Sequence, residues 1–535
     1  MQTQQFEMVA KTFQGLEEVL AEELRQLGAI NVEPGRRMVS FEGDLAMMYR
    51  ANMCCRTALR ILKPIYKFTA SDPDSLYEMI KEYDWTTVLS LDKTFSIDTV
   101  TNSDEFTHSR YVTYRVKDGI VDFFRDRIGP DSRPKVRLQD ADVMINVHIS
   151  GERVTVSLDS SGESLHKRGY RVAQTEAPIN EVLAAGIILK SGWRGDCPFV
   201  DPMCGSGTFL IEAALIAAGI NPGVYRRRFA FESWPDFDAE LFDSIYNDDS
   251  SERTFEHKIY GADISPKAVA IATENIKSAG VAKYIDLSVK PISQWKEAPA
   301  AGVLVTNPPY GERISADDMD GLYATIGSQL KHVFKGYHAW IIGYREEYFS
   351  KIGLSPSLKM PLFNGALECE LREYIIFEGD YKSFRKEGGS IRNGQPRPDK
   401  KGSPRRISDD QWRAEARRDG MGGRMAKPSF KGKERRDNDR NYDSKYRPTK
   451  GRFADRQDRE RKDRDNRPER GERNETRKPF NEENPLAIRR NENALKMLIG
   501  KKPSLPKADG GVLLRPRRGW KRPGSTDNND SEPQQ

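Results

Sequence analysis

Three short stretches combine the residue types that ligand chemistry needs. In Asp201-Pro-Met-Cys-Gly-Ser-Gly-Thr208 an apolar strand ends on a carboxylate, and a glycine turn leads into a helix starting near Thr208. Gly205 and Gly207 let the backbone approach a ligand closely and adopt conformations closed to other residues. The carboxyl end of a strand is where α/β sheets bind ligands. The turn has neither the GxxxxGK[ST] of a P-loop nor the full GxGxxG of dinucleotide binders. A carboxylate beside the glycines suits a cationic or hydroxyl-bearing ligand better than a pyrophosphate. Asp263 closes a second strand, at the place where nucleoside binders set an acid on the ribose hydroxyls. The same Asp263-Ile-Ser-Pro266 also reads as a helix start, with Asp263 or Ser265 as its cap. Finally, Val303-Leu-Val-Thr-Asn-Pro-Pro-Tyr310 stops a buried strand on an amide, two rings without backbone donors, and an aromatic.

Alternating helices and apolar strands must hold these ends on one rim. From about residue 177 the pattern predicts helices over 180–191, 208–218 and 266–279, with strands over 198–201, 259–263, 302–306 and 339–343. Repeated βα units imply a parallel, doubly wound sheet. An aromatic-rich insertion over 225–246 is too apolar for a free linker and is expected on the upper face of that sheet. Upstream, residues 1–60 read strand, helix, strand, helix. Residues 61–160 form a second small α/β unit, with helices over 75–83 and 110–128, a strand over 94–100, and a hairpin of 143–149 with 153–159 around Ser150-Gly151.

Composition divides the chain. The net charge of +6 hides 44 Lys+Arg against 25 Asp+Glu in residues 381–535, and 42 against 55 in residues 1–380. An acidic body with a basic extension points to a polyanionic partner. After Phe384, Gly, Pro, Asn and charged residues dominate, too little apolar surface to offset ordering entropy, so residues 385–535 are expected to be a disordered basic tail. Residues 484–500 are the one stretch there with helical periodicity. The five cysteines form no CxxC pair and no cluster with histidine, so neither a metal site nor a disulfide framework is indicated. Reduced thiols, an N-terminus without an apolar signal region and the lack of a membrane-length stretch predict a cytoplasmic protein with no membrane partner.

The three motifs together resemble those of class I S-adenosylmethionine-dependent methyltransferases that act on exocyclic amino groups. Gly162-Glu-Ser-Leu-His-Lys-Arg-Gly-Tyr-Arg171, Ala177-Pro-Ile-Asn-Glu181 and Phe229-Ala-Phe-Glu-Ser-Trp-Pro235 narrow the resemblance to THUMP-domain RNA guanosine-N2 methyltransferases of the large-subunit (23S) rRNA branch. The resemblance covers residues 1–380. It implies a ferredoxin-like segment (1–60), an α/β THUMP domain that binds RNA (61–160) and a Rossmann-like catalytic domain (161–384). Its partner would be 23S rRNA or a large-subunit assembly intermediate.

Carried over by position, the family pattern sets Asp201, Gly205 and Gly207 around the methionine part of the cofactor, within a loop that includes Cys204 and Thr208. Asp263 would hold the ribose, and Asn180 would flank the cofactor from the other side. Asn307, Pro308, Pro309 and Tyr310 would receive the target base. A guanine exocyclic amine is a poor nucleophile because its lone pair is delocalised; two acceptors beside its N–H groups, the Asn307 side-chain oxygen and the Pro308 carbonyl, favour a pyramidal nitrogen. Tyr310 would stack on a splayed-out base. No covalent nucleophile is required, so Cys204 reads as a small packing residue. Lys167, Arg168 and Arg171 are expected to contact RNA phosphate or pack between domains, and Arg226–Arg228 to touch RNA or face solvent. The family commonly has an acid or amide near the adenine amino group, whereas Lys290 and Pro291 stand at that place here, so no adenine ligand is assigned. The competing readings are a tRNA guanosine-N2 enzyme, a DNA adenine-N6 enzyme, and a non-catalytic RNA-binding assembly factor.

Overall fold

The structure is a computed structural model that describes residues 4–311, 316–377 and 379. The expected tail over 385–535, with its candidate helix at 484–500, lies outside the described residues. The first half runs β1 (Phe6–Lys11), α1 (Glu17–Gln26), β2 (Ile30–Gly35), β3 (Met38–Gly43), α2 (Leu45–Cys54), β4 (Arg60–Thr69), α3 (Pro73–Glu82), β5 (Thr94–Asn102), α4 (Ser109–Ile128), β6 (Lys135–Val136), β7 (Val143–Ser150) and β8 (Arg153–Asp159). Its eight strands form one sheet in the order β2-β3-β1-β4-β8-β7-β5-β6.

Strand β4 belongs to both small units. Arg60, Ile61 and Leu62 pair with Lys11, Ala10 and Val9 of β1, while Leu62 to Thr69 pair with β8. The division expected at residue 60 therefore falls at the start of one shared strand. A Lys63-Pro64 step inside β4 and a register shift between Pro64 and Tyr66 hide the strand from a pattern search. β2 was equally hidden, since its INVEPG sequence is almost wholly exposed and does not alternate.

The second half runs α5 (Glu181–Lys190), β9 (Phe199–Asp201), α6 (Thr208–Ala217), α7 (Ala239–Tyr246), β10 (Ile259–Asp263), α8 (Pro266–Ser278), β11 (Ile285–Val289), β12 (Val303–Thr306), α9 (Ala316–His332), β13 (His338–Gly343), α10 (Glu346–Lys351), β14 (Leu358–Asn364) and β15 (Leu367–Ile375). The sheet order is β11-β10-β9-β12-β13-β15-β14. Strands β9 to β13 run parallel to one another, and β15, antiparallel to β13, closes one edge with β14 as an antiparallel hairpin. All ten residues of α6 are buried, as a helix apolar on every side must be.

The aromatic insertion does not lie on this sheet. Phe229, Phe231, Trp234, Phe242 and Tyr246 are buried in the core of the first half, together with Met47, Tyr49 and Leu158. The Tyr49 ring stacks on Phe231 at 4.5 Å and meets Phe242 edge-on at 5.6 Å, and its hydroxyl accepts from the Asp238 amide at 3.0 Å. Helix α2 presents an apolar face that its own sheet leaves uncovered, and the insertion covers it. Among the described residues no helix is long and apolar enough to cross a membrane.

Phe231→Ala should remove the stacked ring at the centre of this contact and destabilise the first half by about 3–5 kcal/mol. Chemical denaturation followed by near-ultraviolet circular dichroism measures it, and a loss below about 1 kcal/mol would mean that the insertion merely rests on the surface.

Candidate active site

From β9 the sheet grows in two directions, to β10 and β11 on one side and to β12 and β13 on the other. Such a switch point leaves a crevice outside the carboxyl ends of the strands. Asp201, Asp263 and Thr306-Asn307 stand on that rim.

Asp201 is almost wholly buried. Its Oδ1 accepts from the Thr306 hydroxyl at 2.8 Å and from the Met203 amide at 3.2 Å, so it ties the end of β9 to the end of β12. Burial pushes its carboxyl up to about 7; the two hydrogen bonds oppose the rise and the Asp263 charge adds to it. Asp201 thus shapes the site from beneath.

The loop after it is held at both ends. The Cys204 amide donates to the Ala262 carbonyl at 2.9 Å, and the Gly205 amide donates to Asp263 Oδ2 at 3.0 Å. Gly205 and Gly207 take φ of +53° and +81°, in the left-handed region that favours glycine. A side chain at Gly207 would meet the Ala272 Cβ at 3.1 Å, whereas nothing lies within 4 Å of one at Gly205. Gly207 therefore lets α6 approach α8, and Gly205 faces open space. Cys204 is buried and its thiol is pushed up by burial, which fits packing rather than reaction. Asp263 is no helix cap: Ser265 Oγ accepts from the Ala268 amide and starts α8. Asp263 Oδ1 accepts from the Ser265 amide, and its partly exposed carboxylate keeps further acceptor capacity toward the crevice.

Asn180 caps α5, its Oδ1 accepting from the amides of Val182 and Leu183. Thr208 is buried at the start of α6 and accepts from Arg171 Nη2 at 2.9 Å. Asn307 carries the oddest atom of the rim: its Oδ1 is buried and has no hydrogen-bond partner among the described residues. Pro308 is buried and Pro309 exposed. The Tyr310 hydroxyl accepts from Asn364 Nδ2 at 3.2 Å, which fixes the ring against the β14–β15 hairpin.

Of the two roles expected for Arg168 and Arg171, phosphate contact or packing between domains, the structure shows packing. Arg168 is buried, with its guanidinium between Glu212 of α6, the Leu165 carbonyl and the Arg56 carbonyl. Arg171 donates to Glu181, Ser206 and Thr208, at 2.7, 2.9 and 2.9 Å, and so fastens the interdomain segment to the glycine loop. Arg226 is also buried and donates to the carbonyls of Ser161, Glu163, Ser164 and Lys167. Of the three predicted RNA contacts, only Lys167 is exposed, paired with Glu163. Sequence reasoning also missed Ile264 and Val289, large apolar side chains 71% and 51% exposed where β10 and β11 reach the rim. Lys290 is turned aside, its ammonium 3.7 Å from the centre of the Trp295 ring.

Residues 168–373 match the RMKL-like methyltransferase domain (UPF0020), residues 7–62 the RlmL ferredoxin-like domain and residues 70–159 the THUMP domain. Slr0064 of Synechocystis sp., a putative RNA methyltransferase, is 37% identical over 371 residues that cover 69% of this chain and 96% of that protein. The chain belongs to this methyltransferase family. The ribosomal RNA large subunit methyltransferase K/L of Syntrophotalea carbinolica is 39% identical over 378 residues, which cover 68% of this methyltransferase and 53% of that protein. The chain thus spans about half the length of the K/L relatives it matches. The crystal structure of SMU.472, a putative methyltransferase complexed with SAH, is similar with a TM-score of 0.64 and 32% identity, covering 71% of this chain and 100% of that one.

In the unfolded chain Asp201 ionises near 3.8, whereas in the fold it keeps its proton to about 7. Its stabilising contribution is therefore full below about pH 4 and is lost as pH rises through about 7. Asp201→Asn retains an oxygen for Thr306 and Met203 and cannot ionise. Urea denaturation across this range should show the variant gaining on the native chain as pH rises; parallel curves would assign the pH dependence to other groups.

Proposed function

We propose that this methyltransferase transfers the methyl group of S-adenosylmethionine to the exocyclic N2 of a guanosine in 23S rRNA, presented as RNA or as a large-subunit assembly intermediate. The observation that carries the reading is the buried, unpartnered Oδ1 of Asn307. A buried acceptor without a donor costs about 1–3 kcal/mol, and an amino N–H arriving from the crevice would satisfy it.

The rim fits the cofactor. Open space beside Gly205 accepts the backbone-facing methionine part, the free acceptor capacity of Asp263 suits ribose hydroxyls, and exposed Ile264 and Val289 offer apolar walls for a flat ring. When bound, the cofactor supplies an electrophilic methyl on sulfur. The protein's part is positioning and charge. Asn307 Oδ1 and the Pro308 carbonyl accept the two N–H groups of the amine and turn its lone pair toward that methyl. Pro308 and Pro309 lack N–H groups that would compete and keep the turn rigid. Holding the nitrogen in line supplies the proximity advantage. The THUMP match and the names of the K/L relatives support RNA, and specifically large-subunit rRNA, as the substrate.

Asn307→Ala should lower kcat by about 100-fold or more while cofactor affinity measured by calorimetry stays the same; a variant of native activity removes Asn307 from the reaction. Mass-spectrometric mapping of RNA from a strain lacking the gene should show one N2-methylguanosine missing from 23S rRNA. Its loss from tRNA alone would transfer the reading to tRNA.

A further inference from the structure

Strands β12 and β13 are parallel neighbours, with Thr306 opposite Ile341. Both chains therefore leave the sheet at the same rim, one as Asn307-Pro-Pro-Tyr310 and the other as Tyr344-Arg345. The two tyrosine rings face each other at 6.4 Å between centroids and 39° between planes. They differ in restraint. Tyr310 is anchored through its hydroxyl to Asn364 and is packed into the core. Tyr344 is 41% exposed, and its hydroxyl has no hydrogen bond among the described residues. The Arg345 guanidinium lies 5.6 Å from the centre of the Tyr344 ring, on the exposed side of the loop.

A base between two rings needs two stacking steps of about 3.4 Å each. The tilted ring centroids now stand 6.4 Å apart, so a base enters only once Tyr344 rotates away from its present position. A fixed ring beneath and an unanchored ring above form a slot that adjusts to its guest by rotation of Tyr344 alone. We propose that Tyr344 is the second face of the target-base slot, with Tyr310 as the first, and that Arg345 contacts the phosphate of that nucleotide. This rests on the reading that Asn307 to Tyr310 receive the base. It adds a residue that holds the extruded nucleotide in place without touching the reacting nitrogen.

The test uses the full chain with hypomethylated 23S rRNA and tRNA from a strain lacking the gene. Tyr344→Ala should lower kcat/KM by about 10- to 100-fold, the usual weight of one aromatic stack on a base. Cofactor binding by calorimetry should be unaffected, and Tyr344→Phe should recover most of the loss because the ring face, not the hydroxyl, is used. Arg345→Ala should weaken RNA binding and reduce the slope of log affinity against log salt by about one. Native kcat/KM in Tyr344→Ala, or a Phe variant as impaired as the Ala variant, overturns the slot. A native chain that methylates neither RNA overturns the underlying reading, and the slot with it.

Discussion

The hydrogen bond from the Thr306 hydroxyl to the buried Asp201 carboxyl joins the two strands between which the sheet changes direction. Each half of the site hangs from one end of it. On the Asp201 side the chain turns at once into the glycine loop, whose amides are pinned to Ala262 and Asp263 of the next strand. On the Thr306 side the following residue is Asn307. A carboxyl that is neutral through much of the acidic range forms this link without a buried charge, which a dry strand end would penalise by several kcal/mol. The distance between loop and amide is thereby set inside the sheet, away from water.

A second set of buried contacts joins the two halves of the chain. Arg168 lies between Glu212 of α6 and the carbonyl of Arg56, while Glu23 of α1 accepts from the Arg56 and Thr57 amides. Tyr170 also donates to Glu212, at 2.9 Å. The next residue, Arg171, grips Ser206 and Thr208 of the glycine loop. The segment that connects the small units to the catalytic sheet is thus packed into both, and the aromatic insertion repeats the connection through Tyr49. Among the described residues the two halves are therefore joined by buried hydrogen bonds as well as by the chain itself.

Much of this was legible in sequence where a rule of local chemistry applied. Asp201, Asp263 and Asn307 could be found because each sets a polar residue at or just past the end of an apolar strand, and Gly205 because it lies in a glycine turn that leads into a helix. Strands with alternating or uniformly apolar residues, such as Val143–Ser150 and Ile259–Asp263, were equally plain. The failures share a cause. Arg168 and Arg171 take the packing role that was one of the two expected of them, whereas Arg226 looked like part of a solvent-facing or RNA-facing run because the carbonyls that accept from it are supplied by the fold, about 60 residues away in the chain. The aromatic insertion showed that it must be buried, but not against what. The contact of Tyr344 with Tyr310 carried no signal at all, since it comes from the neighbouring strand.

Several other buried polar atoms in the structure lack partners, so the isolation of Asn307 Oδ1 has meaning only through its place. The unpartnered tryptophan nitrogens of Trp234, Trp295 and Trp340 are donors on large rings whose burial outweighs one lost hydrogen bond. Glu212, Asp243 and Gln329 are acceptors within helices, and Glu212 already accepts from Tyr170 through its other oxygen. Asn307 stands at a strand end on the crevice rim, followed by two residues with no N–H to offer. Neither Pro308 nor Pro309 can bond the orphaned oxygen through its backbone, and the role proposed for Asn307 rests on that isolation.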